Sequence, residues 1–212
     1  MKKNIPFLTL VTNKNNITLD KYLKFLEICA NYGIDSVQLR EKHLNKRELF
    51  ELATIMLETL TPLNISLIIN DNPELAHKVG AAGVHLGQDD GNVFKARKLL
   101  GDNKIIGLTV NSLEQLKLAN ELPINYVGVG AIFPTKNKPN VKTIWKCKGL
   151  KQCASISNKP IIAIGGIDEA NIEEVLLSGA RGIAAIGAFH NAYDPAFTTK
   201  TLHNHIRRFY HA

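Results

Sequence analysis

The stretch 66–90 reads SLIINDNPELAHKVGAAGVHLGQDD and decides the fold. It begins with the apolar run 67–70, which has the length and β-branched content of a buried strand. A proline then stands where the first turn of a helix tolerates it, and the pattern predicts a capped short helix over 72–79. A second apolar run, 83–86, stops at the sequence GQDD. The stretch therefore predicts a strand, a helix and a second strand.

Acidic residues follow both of these strands and predict a metal site. Right-handed crossover makes the strands parallel, so their carboxyl ends lie at one edge of a sheet, and adjacent strands are about 5 Å apart. Asp71 would then meet Asp89 or Asp90. Two carboxylates at such an edge suit Mg²⁺, which is usually held by one or two carboxylates together with substrate phosphates. The alternative is that these acids are only turn and helix-start residues.

Similar strand–helix units recur along the whole chain. Strands are predicted at 7–11, 36–39, 67–70, 83–86, 105–109, 126–130, 161–164 and 182–186, and helices at 20–32, 46–60, 73–79, 92–100, 113–122, 144–155, 168–177 and 195–210. Eight alternating units without a linker-like segment predict an α/β fold, a single-domain (β/α)8 TIM barrel over residues 1–212. An open doubly wound sheet is the alternative, but the first strand is not followed by the glycine-rich turn of that fold.

Composition limits the class of protein. The chain has 212 residues, 45% of them hydrophobic, and a net charge of +7. Since it has no apolar run of membrane-spanning length and no signal-peptide pattern, we expect a cytoplasmic protein without a membrane partner. Cys29, Cys147 and Cys153 lack metal-ligand spacing and are predicted to be packing residues in a reducing compartment.

The positive charge is concentrated between Glu121 and Asp168, an interval without an acidic residue. Nucleic acid is the obvious alternative partner for a basic protein, but the interval lacks interleaved aromatic residues and any helix-turn-helix or zinc-finger pattern. Small phosphorylated ligands are therefore the predicted partners. The alternative is that these lysines only form a solvated face without a ligand. The lysines in this interval are Lys136, Lys138, Lys142, Lys146, Lys148, Lys151 and Lys159.

The sequence QLREK at 38–42 follows the second predicted strand, at the edge where a barrel carries its chemistry. Strand periodicity places Gln38, Arg40 and Lys42 toward the barrel mouth and Leu39 under a helix. The planar fork of Arg and the mobile charge of Lys suit a diphosphate. The alternative is an ion pair between Arg40 and a carboxylate of the barrel.

The remaining strand ends offer weaker signals. Thr109 would place a hydroxyl at the rim, or it reflects only β-propensity. The alternation VGVG at 127–130 indicates close approach of backbone or ligand on one face, and the loop 133–138 is predicted to be a mobile loop that reaches a phosphate, or a solvated turn. Glycines after strands seven and eight indicate the phosphate site usual in these barrels, or two tight turns.

Six blocks of the sequence, in order, resemble the thiamine phosphate synthase family along essentially the whole chain. They are QLREK at 38–42, IIND at 68–71, GVHLGQDD at 83–90, IIGLT at 105–109, YVGVGAIFPTKNK at 126–138 and AIGGI at 163–167. The resemblance implies transfer of a hydroxymethylpyrimidine group from its diphosphate to a thiazole phosphate, with release of pyrophosphate.

The resemblance also implies the residues of the site. Asp71 and Asp90 would bind Mg²⁺, and Thr109 would lie against the pyrimidine, where the family more often has Ser. The implied catalytic residues are Arg40, Lys42, Thr109 and Lys138. Three of them, Arg40, Lys42 and Lys138, would stabilise the departing diphosphate. The whole substrate-binding set is Gln38, Leu39, Arg40, Glu41, Lys42, Asn70, Thr109, Thr135, Lys136, Asn137, Lys138, Gly166, Ile186 and Gly187.

Three positions depart from the family pattern on the thiazole side. The chain has Ala131, Asn137 and Gly187 where the family often has Pro, Thr and Ser. Two other functions remain open: a thiazole tautomerase-like isomerase on the same barrel, and a non-catalytic thiamine-phosphate binding protein. Retention of the acidic pair and of Arg40 and Lys138 argues against the isomerase. A homo-oligomer is possible.

Overall fold

The computed structural model describes residues 7–137 and 141–210. Its strands form one closed barrel in chain order, in which all neighbouring strands are parallel and β8 pairs with β1. The predicted TIM barrel is confirmed, and no strand boundary differs from its predicted position by more than one residue. The strands are β1 Leu8–Val11, β2 Ser36–Leu39, β3 Ser66–Asn70, β4 Gly83–Leu86, β5 Ile105–Val110, β6 Tyr126–Gly130, β7 Ile161–Ile164 and β8 Gly182–Ala185.

A helix follows each strand, and the described ranges contain one helix more than the sequence pattern predicts. They are α1 Leu19–Asn31, α2 Lys46–Leu60, α3 Pro73–Val79, α4 Val93–Leu100, α5 Leu113–Asn120, α6 Lys146–Ile156, α7 Ile172–Leu177, α8 Gly187–His190 and α9 Pro195–Tyr210, and a 3₁₀ turn, Thr61–Leu63, follows α2. The short helix α8 lies directly after β8, where a tight turn is predicted. None of the helices in the described ranges has the length and apolar character needed to cross a membrane.

Helix α7 begins four residues later than predicted. The Asp168 carboxylate accepts a hydrogen bond from the Ala170 N–H at 3.0 Å, and the Asn171 side chain accepts one from the Asp168 N–H at 3.0 Å. Such local side-chain bonds offer the backbone an alternative to the helical pattern. The acidic start of this segment therefore forms a turn, and the helix begins at Ile172.

Helix α3 forms as its sequence predicts. The Asn72 side chain accepts a hydrogen bond from the Leu75 N–H at 2.9 Å, Pro73 occupies the first helical position, and Gly80 ends the helix in the left-handed conformation with a φ of 72°. Each of these residue types is favoured at its position. The helix returns the chain so that β3 and β4 are paired neighbours.

The hydrophobic core has two parts. The larger part lies between the barrel and the helices and includes Leu39 and the three cysteines, which are all buried and free, as predicted. The smaller part fills the barrel interior. It consists of Val11, Ile68, Ile105, Tyr126, Ile162 and Ala184.

The first and last described elements meet at the closure of the barrel. The rings of Phe7 and Tyr210 lie 5.5 Å apart between centroids, and the Arg181 guanidinium lies over both rings at 4.3 and 4.7 Å. Cation–π attraction of this kind contributes about 0.5–1 kcal/mol at an exposed position. The pairing of β1 with β8 is therefore reinforced from outside the sheet.

Candidate active site

A cavity of about 970 Å³ opens at the carboxyl ends of the strands. Each of the eight strands, or the loop that follows it, contributes to the lining. This is the end of a TIM barrel at which active sites are found. Nearly all of the site residues inferred from the sequence are among the lining residues.

Leu39 and Glu41 are not among them. Leu39 is 1% exposed and packs in the core between the barrel and the helices, because it faces away from the interior on β2. Glu41 is 5% exposed and accepts a hydrogen bond from the Lys14 N–H at 2.8 Å, which turns its carboxylate beneath the β1 loop. Their placement among the substrate-binding residues is therefore corrected: both support the site from outside the cavity.

The acidic corner of the cavity is formed by the ends of β3 and β4. Asn70 is in register with His85, and the next N–H, that of Asp71, donates to the His85 carbonyl at 2.8 Å. The Asp90 carboxylate accepts from the Gly87 N–H at 2.7 Å, which fixes it at the start of the following loop. The structure thus brings Asp71 and Asp90 together.

The two carboxylates also interact electrostatically. Burial, the hydrogen bond with Asp90 and the charge of Asp90 raise the pKa of Asp71 to about 6, against the opposing effect of Lys42. The Lys42 ammonium lies 3.5 Å from the Asp71 carboxylate. The Asp89 carboxylate also lines the cavity but lies 3.8 Å from the Lys142 ammonium, so Asp90 is the partner of Asp71.

The basic side of the cavity is formed by the end of β2. Gln38, Arg40 and Lys42 all line the cavity, as strand alternation predicts, and Asn70 lies beside them on β3. The ion pairs in the described ranges join Lys42 to Asp71, His43 to Glu41, Arg47 to Glu51 and Lys142 to Asp89, so the alternative of an Arg40 ion pair is not observed there. The Arg40 guanidinium is available to an anion in the cavity.

The floor of the cavity carries a chain of polar side chains. Thr109 lines the cavity, and its hydroxyl oxygen lies 2.7 Å from His85 Nε2. His85 Nδ1 lies 2.8 Å from the Tyr126 hydroxyl oxygen. The space left by Gly128 is filled by the His85 ring, so the close approach that the VGVG sequence predicts is made by a protein side chain.

The opposite side of the cavity is lined by the loops after β6, β7 and β8. Gly166 has a φ of 66°, and a Cβ atom there would lie 2.7 Å from both Phe133 Cβ and the Pro134 carbonyl oxygen, so only glycine fits between the two loops. The other predicted residues that line this side are Thr135, Lys136, Asn137, Ile186 and Gly187. The predicted residue Lys138 lies outside the described residues.

Asn191 also lines the cavity and escapes detection from the sequence. A Cβ atom at Gly187 would lie 3.2 Å from Asn137 Nδ2 and 3.3 Å from Asn191 Nδ2, so two side-chain amides flank this glycine. Asn191 ends the helix α8, which the pattern does not predict. Without that helix, nothing in the sequence points to Asn191 rather than to other asparagines.

The model of one protein family, described as thiamine monophosphate synthase, matches residues 8–189. The chain belongs to the thiamine monophosphate synthase family. The thiamine-phosphate synthase of Chlamydia abortus is 48% identical over 208 residues, covering 98% of both chains, and that of Vibrio campbellii is 43% identical over 170 residues, covering 80% of this chain and 83% of the relative. The family resemblance inferred from the six sequence blocks is confirmed.

Solved structures agree with membership of the thiamine monophosphate synthase family. The thiamine phosphate pyrophosphorylase of Pyrococcus furiosus superposes with a TM-score of 0.86 at 28% identity, covering 96% of each chain. A 3-hexulose-6-phosphate synthase superposes with a TM-score of 0.73 at 20% identity, covering 94% of this chain and 99% of that one, which shows a shared fold alone.

Proposed function

We propose that this protein is a thiamine-phosphate synthase. It condenses 4-amino-2-methyl-5-hydroxymethylpyrimidine diphosphate with 4-methyl-5-(2-hydroxyethyl)thiazole phosphate to give thiamine phosphate and pyrophosphate. The family and its full-length relatives support this reaction. The structural observation that carries the proposal is the meeting of Asp71 and Asp90 beside Lys42 and Arg40, in the same cavity as the glycine-lined loops after β7 and β8.

The acidic pair fits Mg²⁺. Asp71 and Asp90 offer hard oxygen ligands, and a cation between them would offset the burial and the mutual repulsion that raise the pKa of Asp71. No group of three or more His, Cys, Asp or Glu residues in the described ranges could hold a metal, so phosphate oxygens and water would supply the other ligands. When bound there, Mg²⁺ would neutralise charge on the diphosphate.

The pyrimidine diphosphate would lie between the acidic corner and the end of β2. The bond that breaks joins the pyrimidine methylene carbon to the diphosphate oxygen, and both electrons leave with pyrophosphate. Arg40 and Lys42 would stabilise this departing negative charge. The positive charge that remains is shared between the methylene carbon and the electron-rich aminopyrimidine ring, so no protein nucleophile is required.

The thiazole phosphate would lie on the opposite side of the cavity. Gly166, Ile186 and Gly187 would approach its phosphate through their backbone amides, and Thr135 and Asn137 through their side chains. The thiazole nitrogen then forms a bond to the methylene carbon with its own lone pair, and the positive charge moves from the pyrimidine to the thiazolium ring. Since both substrates are held in one cavity, much of the rate enhancement would come from their positioning.

Product analysis separates this function from its alternatives. The purified protein is incubated with both substrates and Mg²⁺, and pyrophosphate and thiamine phosphate are measured together. Equal amounts of the two products are expected. Isomerisation of the thiazole phosphate without pyrophosphate would indicate a tautomerase, and tight binding of thiamine phosphate without turnover would indicate a binding protein. Either result would overturn the proposal.

A further inference from the structure

Two buried titratable side chains on the floor of the cavity have no part in the mechanism above. His85 on β4 and Tyr126 on β6 are 9% and 4% exposed. Their hydrogen bond of 2.8 Å continues through His85 Nε2 to the Thr109 hydroxyl at 2.7 Å. The chain of contacts therefore runs along the cavity floor from Tyr126 through His85 to Thr109.

Two glycines make room for this arrangement. Gly107 is in register with both His85 and Tyr126, and a Cβ atom there would overlap the Tyr126 ring and lie 2.6 Å from His85 Nδ1. Gly128 is in register with Thr109, and a Cβ atom there would lie 2.8 Å from His85 Cε1. The two rings are therefore fixed by surrounding backbone as well as by their hydrogen bonds.

The chemistry of Tyr126 sets the direction of each hydrogen bond. Burial raises the pKa of Tyr126 well above its ordinary value, so its hydroxyl keeps its proton at neutral pH. A buried hydroxyl without an acceptor is unfavourable, and the contact with His85 Nδ1 supplies one. A neutral imidazole that accepts at Nδ1 carries its proton on Nε2, which then donates to the Thr109 hydroxyl oxygen.

We propose that Tyr126 and His85 are positioning residues that turn the Thr109 hydroxyl hydrogen into the cavity. Because the Thr109 hydroxyl oxygen already accepts from His85, its hydrogen is left to donate to a ligand in the cavity. The site therefore selects a ligand whose ring has an acceptor atom next to Thr109. The inference rests on the proposed function, in which the ring is the aminopyrimidine and the acceptor is one of its ring nitrogens.

Substrate discrimination tests this role. Two analogues of the pyrimidine diphosphate are used, each with one ring nitrogen replaced by C–H. Once synthesis by the wild-type protein is established, kcat/KM with one of the two analogues is expected to be lower by about tenfold, the size of one lost hydrogen bond. In Tyr126→Phe the tautomer of His85 is no longer fixed. In this variant we expect kcat/KM with that analogue to be only about twofold lower than kcat/KM with the natural substrate. KM for the thiazole phosphate should be unchanged.

Tyr32→Phe is the matched control, because Tyr32 lies exposed at the end of α1 and should keep the wild-type ratio. A wild-type protein that accepts both analogues as well as the natural substrate would overturn the proposal while leaving the synthase function intact. A folded Tyr126→Phe variant that keeps the wild-type ratio would do the same.

A spectroscopic measurement needs neither catalysis nor a stable Tyr126 variant. The ¹⁵N chemical shifts of the His85 ring are recorded in the wild-type protein at neutral pH, with the His85 signals assigned by their loss in His85→Gln. The expected pattern is a neutral ring protonated at Nε2 and unprotonated at Nδ1. A ring protonated at Nδ1, alone or together with Nε2, would overturn the inference whatever reaction the protein catalyses.

Discussion

Asp71 directly follows β3 and has a left-handed backbone, with a φ of 66°. Aspartate is one of the few residues that adopt this conformation readily, and here the Asp71 N–H also bonds to the His85 carbonyl. The turn sends the carboxylate toward Asp90 instead of along the strand direction. Asp71 can therefore be both a turn residue and a ligand of the proposed metal site. The two interpretations of this residue in the sequence IIND are compatible.

Asp90→Asn tests the metal assignment while preserving local structure. The amide oxygen of Asn can still accept from the Gly87 N–H, but the negative charge is lost. We expect synthesis to fall by about 100-fold or more, since a carboxylate ligand of the ion is removed. Asp102→Asn is the control, because Asp102 is exposed in the turn after α4 and is not among the residues that line the cavity, and it should stay within about twofold of wild type. Wild-type rates in Asp90→Asn would exclude the assignment.

Asp71→Asn tests the electrostatic cost of the acidic pair. The folded-state pKa of Asp71, about 6, lies above its ordinary value of 3.8, so the folded protein binds more protons than the unfolded chain between these pH values. The contribution of this group to stability therefore falls as pH rises through that range.

Without Mg²⁺ at pH 7.5, Asp71→Asn should be more stable than wild type by about 1 kcal/mol, a value reduced for partial exposure. Near pH 2.5 the two proteins should be about equally stable, because the carboxyl group is then almost wholly protonated in both states. Denaturant unfolding at the two pH values measures the difference. A pH-independent difference would contradict the buried-pair explanation.

At the scale of elements, the unit β3–α3–β4 is specified by local residues. Asn72→Ala removes the side chain that accepts from the Leu75 N–H, and should lower the free energy of unfolding by about 1 kcal/mol. The lost cap also loosens the link that sets β4 beside β3, so a small loss of activity is expected with it. Thermal unfolding checks the first effect, and Asn103→Ala, at an exposed turn position away from the cavity, is a comparison that should leave the midpoint unchanged. An unchanged midpoint in Asn72→Ala would mean that the cap is not needed.

A comparison of the predicted with the observed elements shows which features local sequence patterns determine. Apolar runs and caps such as Asn72 predict elements well because these signals act within a few residues. Helix α8 is missed because four residues carry no periodicity, and Asn191 is missed with it. The partners of His85 are also missed, because they lie on neighbouring strands, and their contact depends on register across the sheet.

At the scale of the whole molecule, the positive charge of the chain favours its phosphorylated substrates. The net charge is +7, and Arg40, Lys42, Lys136 and Lys142 line the cavity. Capture of anionic substrates should therefore weaken with salt, and kcat/KM for the pyrimidine diphosphate should fall several-fold between about 0.05 and 0.5 M ionic strength. Steady-state kinetics at constant Mg²⁺ activity measures this, with kcat expected to change less. A salt-independent kcat/KM would show that long-range charge has no part in capture.

The contact of Phe7 with Tyr210, bridged by Arg181, joins the first described strand to the last helix. Together with the pairing of β1 and β8, it makes the succession of strand–helix units cyclic, so that no unit is first in three dimensions. The chain could therefore begin at a different strand–helix unit and still form the same closed barrel. A circularly permuted gene that links the present ends and opens the chain in a loop remote from the cavity would encode the same ring of units.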